Sequence, residues 1–390
     1  MLKSIQKMID QHYNEMIDIR RYLHKNPELS FHEYKTARFI ADFYKDLNIP
    51  YIDNVGGNGV IATLKGGKPG KTVALRADFD ALPIQDTKDV SYKSQVPGVM
   101  HACGHDGHTA TLLILAKVLK EHVSEIPGTV IFLHQHAEEI APGGAKSIIE
   151  TGVLDDVDAI FGNHLWSTVK LGDVHTRKNI FMAGVDKFDI NIQGEGGHGA
   201  YPHETKDSIV IGATLVTQLQ SIISRRLDPL ETAVLTVGQF NAGTSFNVIA
   251  DTADITGTVR YLNKDIQTQI ITDMQNIIDG VAKSYGVKIT LDYQQGYPPV
   301  YNHPEETDCV LNAAKHITEV REAIEVAPQM GAEDFSYYLL DKPGAFFFTG
   351  AKPTGKTVPH HHPKFDIDER ALPIAAKMLF GAYIEFQNKN

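Results

Sequence analysis

"TVALRADFD", residues 72–80, is a short β-branched apolar run that closes on aspartates, and it reads as a strand. Outward from it, strand-like and helical stretches alternate. "GVIATLKGG" is a second strand-like run, while "LKSIQKMIDQHYNEMIDIRRYLHKN" and "EYKTARFIADFYKDLN" carry apolar residues at helical spacing. Downstream come a helix after His108, the strand "GTVIFLHQHAEE", the helix "GGAKSIIETGVL" and the strand "DAIFGNHLW". Such alternation predicts an α/β sheet covered on both faces. Ligands of these sheets collect beyond the carboxyl ends of the strands. Asp78, Asp80, Glu138, Glu139 and His164 all fall there.

The pattern changes near residue 183. "KFDINIQGEGG" reads as a strand, and "DSIVIGATLVTQLQSIISRR" as a helix with Ile209, Ala213, Val216, Leu219 and Ile223 on one face. The strands "TAVLTVGQFNAG" and "ADITGTVRYL" follow. A helix with Ile266, Ile270, Met274, Ile277 and Val281 in register then leads to the strand "VKITLDYQQG". The order β-α-β-β-α-β is that of a ferredoxin-like unit. Residues 183–294 are therefore expected to form an inserted α+β domain. Residues 1–182 and 295–390 are expected to form one discontinuous domain around it, resumed by the helical "DCVLNAAKHITEV" and "ERALPIAAKMLFGAYIEFQNK" and the strand "AFFFTGA".

Bulk properties narrow the function. The 390 residues carry a formal net charge of −11, which argues against a nucleic-acid partner. No uncharged apolar run approaches the roughly 20 residues that cross a bilayer. The N-terminal stretch lacks the apolar core and small-residue cleavage site of a secretory signal. Cys103 and Cys309 are too few for a disulfide framework. The expectation is a cytoplasmic protein with no membrane partner.

The chemistry concentrates in "MHACGHDGHTA", residues 100–110, which holds three histidines, a cysteine and an aspartate. Cys103 and His105 flank one residue in a turn before a helix, so both can point at one ion. A lone histidine there would more often be a helix-start or surface residue. Thiolate with imidazole favours a zinc-like metal over magnesium or calcium. Glu138 and Glu139 end an apolar strand. One could bind metal while the other moves a proton, the division of labour hydrolysis needs. His164 ends another strand, and "VPHHHPKFDIDE" adds His360, His361 and His362, which could equally be an exposed polar loop. Spacing shows a plausible cage and does not show that the segments meet.

Across the whole chain, in order, "RRYLHKNPELSFHEYKTARFI", "ALRADFDALPI", "MHACGHDGHTA", "HAEEIAPGGAKSIIETG", "GNHLW", "GGHGAYPH", "NVIADTADITGTVR", "GAEDFSYY" and "HHPKFDIDE" resemble the co-catalytic metallohydrolases that include aminoacylases and glutamate carboxypeptidases. More narrowly, the chain is similar to the amidohydrolase branch of hippurate hydrolases, indole-acetyl-amino-acid hydrolases and N-acetyl-diaminopimelate deacetylases.

That resemblance implies a zinc-exopeptidase-like catalytic domain with a mixed sheet, and an inserted lid and dimerisation domain of a homodimer or higher homo-oligomer. It implies two divalent metal ions per subunit (zinc, manganese, nickel or cobalt), held by Cys103, His105, Glu139, His164 and His361. Glu138 would be the general base, and Asp80 would orient a ligand histidine. His198 would stabilise the oxyanion, and Asn247 and Arg260 would hold the substrate carboxylate. Read without the family, His198 is a residue of a Gly-rich turn and Arg260 a strand-end surface arginine. Where the broader family has a histidine ligand this chain has Asp78, whose role stays open. Ala250 and His136 stand where proline is usual. The implied reaction is hydrolysis of the amide bond of an N-acyl amino acid. A dipeptidase acting on short peptides is the alternative, with Glu333 or Asp334 to meet a free α-amino group. A metal-binding protein without catalysis would be expected to have lost the base or a ligand, yet all are present.

Overall fold

A computed structural model describes residues 1–355 and 357–389. It resolves into two compact units. The first holds Met1–Phe181, Val300–Ala327 and the chain from Asp334 onward; the second holds Met182–Pro299 and Pro328–Glu333. The short second segment joins its unit through the Ala183 N–H, which donates to the carbonyls of Gln329 and Gly331.

The first unit is built on an eight-stranded mixed sheet. Its spatial order is Tyr51–Val55, Gly59–Lys65, Pro127–Gln135, Lys68–Asp78, Ala159–Trp166, Gly344–Gly350, Asp173–Thr176 and Glu322–Glu325. The four strands from Pro127–Gln135 to Gly344–Gly350 run parallel. Val73 to Asp78 are buried without alternation. That is the mark of a strand covered on both faces, and it explains the unbroken apolar run. In the register Leu75 lies opposite Phe132 and Phe161. The helices His105–Glu121 and Ala371–Gln387 are buried nearly all round, and Leu112, Leu115, Leu379 and Phe380 join the strand residues in one core. At roughly 25 cal/mol per Å² of apolar surface, this core is the main force ordering the strands. Because these strands are parallel, Asp78, Gln135 and Trp166 finish at the same edge of the sheet.

One local device shapes that edge. Gly104 has φ +94, a conformation that costs a side chain-bearing residue, and it starts the helix His105–Glu121. The turn sets Cys103 before the helix and His105 at its first position. The segment expected as the helix "GGAKSIIETGVL" is helical only over Ala145–Ile149, followed by turns; Gly152, at φ +77, accompanies its end.

The second unit is a four-stranded antiparallel sheet in the order Ala233–Ala242, Thr252–Tyr261, Gly184–Gln193, Lys288–Gln295, with the helices Ser208–Ser221 and Lys264–Tyr285. Along Gly184–Gln193 burial alternates residue by residue, so one face carries the core. Phe188, Ile190 and Ile192 pack there with Ile211, Leu215, Ile270 and Met274. Asp207 caps the first helix by accepting from the N–H groups of Ile209 and Val210; Asn263 caps the second, and Gly286 at φ +64 ends it. Among the described residues no helix is long and apolar enough to cross a membrane.

Candidate metal centre

At the carboxyl edge of the parallel strands, side chains from four stretches of the first unit converge. Cys103 Sγ lies 3.4 Å from His164 Nε2. His105 Nε2 lies 3.8 Å from Glu139 Oε1 and 4.0 Å from Glu138 Oε2. His361 Nε2 is 3.3 Å from Glu139 Oε2. The potential donors form overlapping groups whose ligand atoms all lie within 4.8 Å of one another: Cys103, His105 and His164; Cys103, Glu139 and His361; and His105, Glu138 and Glu139. The five residues named from the resemblance, with Glu138, thus occupy one place, although residues 103 and 361 are remote in the chain.

The imidazoles are aimed by their other nitrogens. His105 Nδ1 is 3.0 Å from Asp80 Oδ1, so its Nε2 faces the cluster. The second oxygen of Asp80 accepts from the Ser30 hydroxyl and from the Glu139 N–H, at 2.7 and 3.0 Å. One buried carboxylate therefore sets both a histidine ring and the backbone of the neighbouring glutamate. His164 Nδ1 donates to the Leu165 carbonyl at 3.0 Å, which frees Nε2 toward Cys103. His361 has φ +62, and its backbone N–H donates to the Ala102 carbonyl.

The donor chemistry fits a cation. Nε2 of His105 and Oε1 of Glu139 are buried with no hydrogen-bond partner among the described residues, a costly state for polar atoms unless something binds them. Burial pushes the His105 imidazolium down, but the carboxylates of Asp78, Asp80 and Glu139 outweigh it and hold it up at about 10. Burial and the charges of Glu139, Glu138 and Asp78 push the Cys103 thiol well up. Both shifts express excess negative charge crowded into a dehydrated space. A divalent cation would reverse both, releasing the protons so that nitrogen and sulfur can ligate.

Asp78, whose role the sequence left open, is fully buried. Its Oδ2 accepts from Arg76 at 2.5 Å, and its Oδ1 lies 2.6 Å from His108 Nδ1. His108 Nε2 in turn accepts from the Leu165 N–H at 2.9 Å. Arg76 also reaches Asp334 and Gln135. The sequence carried a signal for this pair: an arginine inside an otherwise apolar strand must find a buried anion. Glu33 was missed as well. It accepts from Asn58 and from the N–H of Ala137, a residue held at φ +52 immediately before Glu138. Burial pushes its pKa up to about 7. His136 beside it is buried against Phe31, and burial pushes its pKa down.

The remaining expected residues lie in the second unit. His198 is on the two-residue strand Gly197–His198, paired with Val248–Ile249, and its Nδ1 accepts from the Ala200 N–H. Asn247 is exposed and accepts from the Ser245 hydroxyl. Arg260, on Thr252–Tyr261, is half-buried and donates to Thr258 Oγ1; burial pushes its pKa down.

Comparison with known proteins agrees with the chemistry of this edge. Residues 74–384 match the model of peptidase family M20/M25/M40, and the chain belongs to that family. It is a hydrolase of C–N bonds, as the resemblance implied. YhaA of Bacillus subtilis, named an amidohydrolase, is 51% identical over 386 residues, 98% of each chain. An N-acyl-L-amino acid amidohydrolase of Geobacillus stearothermophilus is 44% identical over 78% of this chain and 82% of its own. The crystal structure of the Bacillus subtilis YXEP protein, a dinuclear metal-binding peptidase of the M20 family, superposes with a TM-score of 0.84. It is 34% identical and covers 97% of this chain and 99% of that one.

Proposed function

We propose that this protein hydrolyses the amide bond of N-acyl amino acids, using two divalent cations held by Cys103, His105, Glu139, His164 and His361. The observation that carries this reading is that His105 Nε2 and Glu139 Oε1, beside Glu138, are buried without a hydrogen-bond partner among the described residues. Zinc, manganese, nickel and cobalt all suit a set of thiolate, imidazole and carboxylate. When bound, such ions supply Lewis acidity, polarising a carbonyl and making a water more acidic. Glu138 takes the proton from the attacking water and returns it to the departing amine. Asp80 keeps His105 in the tautomer that presents Nε2.

The second unit serves, in this proposal, as a ferredoxin-like lid and dimerisation domain. From it His198 steadies the oxyanion, and Asn247 and Arg260 hold the substrate carboxylate. Its edge strand Ala233–Ala242 and the exposed Ile209, Val210, Phe240 and Phe246 support an assembly role, because open edges and exposed apolar groups are normally covered. We assign a homodimer or higher homo-oligomer, a cytoplasmic location, and a small-molecule substrate as partner rather than a nucleic acid or a membrane.

A second reading, cleavage of short peptides, draws on relatives at 40% and 39% identity named thermostable carboxypeptidases of Saccharolobus solfataricus. Within this chain, Asp334 is already engaged by Arg76, by Gln135 and by the Ala145 N–H, which weighs against it, though not against Glu333, as a receptor for a free α-amino group. The deciding experiment is a screen of N-acetyl amino acids against dipeptides, run on chelated protein with each metal restored singly. Turnover of the acylated amino acids that returns only with metal is expected. Turnover confined to dipeptides, or unaffected by chelation, would overturn the proposal.

A further inference from the structure

Three consecutive histidines, 360 to 362, point three ways. His361 faces Glu139, and His362 Nδ1 accepts from the Lys364 N–H within its own turn. His360 turns toward Cys103. We propose that His360 is a positioning residue for the metal centre, donating an N–H···S hydrogen bond from Nδ1 to the Cys103 sulfur. The inference rests on Cys103 being a ligand, as proposed above.

The tautomer follows from the other nitrogen. The Ser167 backbone N–H donates to His360 Nε2 at 3.2 Å. A nitrogen that accepts has no proton, so the ring proton sits on Nδ1. That atom lies 3.6 Å from Cys103 Sγ, within reach for a hydrogen bond to sulfur. The ring cannot easily turn away. It is packed at 4.6 Å from Trp166 and 4.9 Å from Phe365, centroid to centroid. The Ser167 hydroxyl also donates to the Val358 carbonyl at 3.1 Å, which ties the histidine loop to the segment following the strand Ala159–Trp166. A hydrogen bond to a thiolate stabilises the anion and draws charge from it, so the sulfur gives less to the metal. Such outer contacts tune metal sites as the ligands themselves do.

The geometry makes an atom-specific prediction. His360→Phe keeps the aromatic packing and removes the donor. His360→Asn places an amide N–H near the Nδ1 position, whereas His360→Gln places its amide near Nε2. In cobalt(II)-loaded protein, the thiolate-to-cobalt absorption band should move to longer wavelength in the Phe and Gln variants and return toward the wild-type position in the Asn variant. A band that keeps its wild-type position in all three variants would overturn this inference alone. Absence of the band from wild type, or its survival in Cys103→Ser, would instead overturn the ligand assignment. Should the Phe variant fail to fold, the Asn and Gln pair still decides, since both are polar and differ in where the amide lies.

Discussion

His105 and Asp106 are neighbours in the first turn of one helix, yet they belong to opposite kinds of buried cluster. On the Asp106 side, acids and bases answer one another. Asp106 meets Arg20 at 2.9 Å and His24 at 2.7 Å. His24 reaches Asp86 and Lys88, and Arg20 also pairs with Asp366 and Glu369. On the His105 side, Glu138, Glu139 and Cys103 crowd together, and among the described residues His105 Nε2 and Glu139 Oε1 have no hydrogen-bond partner. Both clusters are buried and both are charged. Burial of charge therefore does not mark a functional site; a shortage of positive partners does. The first cluster pairs its charges within the protein, and the second, in the proposed function, takes up cations.

Separate damage to the two clusters tests that distinction. The largest effect is expected from Glu138→Gln, which should lower kcat by about 10²–10⁴-fold, the usual worth of a general base. Bound metal and thermal stability should stay near wild type. Retention of a near-wild-type rate would remove Glu138 from the mechanism. Arg20→Ala should act the other way, destabilising by about 3–5 kcal/mol because it strands buried carboxylates. Turnover per folded molecule should survive. A denaturant titration that shows no loss, or an active-site titration that shows folded but inactive enzyme, would merge the two clusters into one.

The smallest effect concerns acid. Burial alone would raise the Asp86 pKa, but hydrogen bonds from His24 and from the N–H groups of Lys88 and Ser94 outweigh it and hold the carboxyl at about 2, against 3.8 unperturbed. A depressed folded-state pKa gives stability that is whole above the unfolded value and lost as pH falls through the folded one. Asp86→Asn should accordingly cost roughly 2 kcal/mol near neutrality, with the difference from wild type shrinking between pH 4 and pH 2. A difference independent of pH in that window would show that the ionised carboxylate is not what the cluster uses.

Much of the architecture was legible because its causes are local. Unbroken apolar runs ending in acids mark strands buried on both faces. Period-2 burial in Gly184–Gln193 and helical spacing over Lys264–Tyr285 mark a one-faced sheet and its helices. The short helix Ala145–Ile149 fell outside that legibility, since periodicity alone does not say where turns take over from a helix. In the site, residue types and strand-end positions singled out Glu138, Glu139 and His164. The same cues were silent on Glu33, which acts on the backbone before Glu138 from a distant loop, and on His360, whose tautomer depends on Ser167.

By itself the sequence determined what each segment must become and which side chains could carry a cation, because propensity, periodicity and donor chemistry are written within a few residues. Only the tertiary structure decided which donors meet and which are already spoken for. Arg20 finds Asp366, Asp78 finds Arg76 and His108, and His361 rather than its neighbours turns to Glu139. Those choices arise from packing between segments far apart in the chain, where a residue's partner is set by the shape of the whole core and not by its neighbours in sequence.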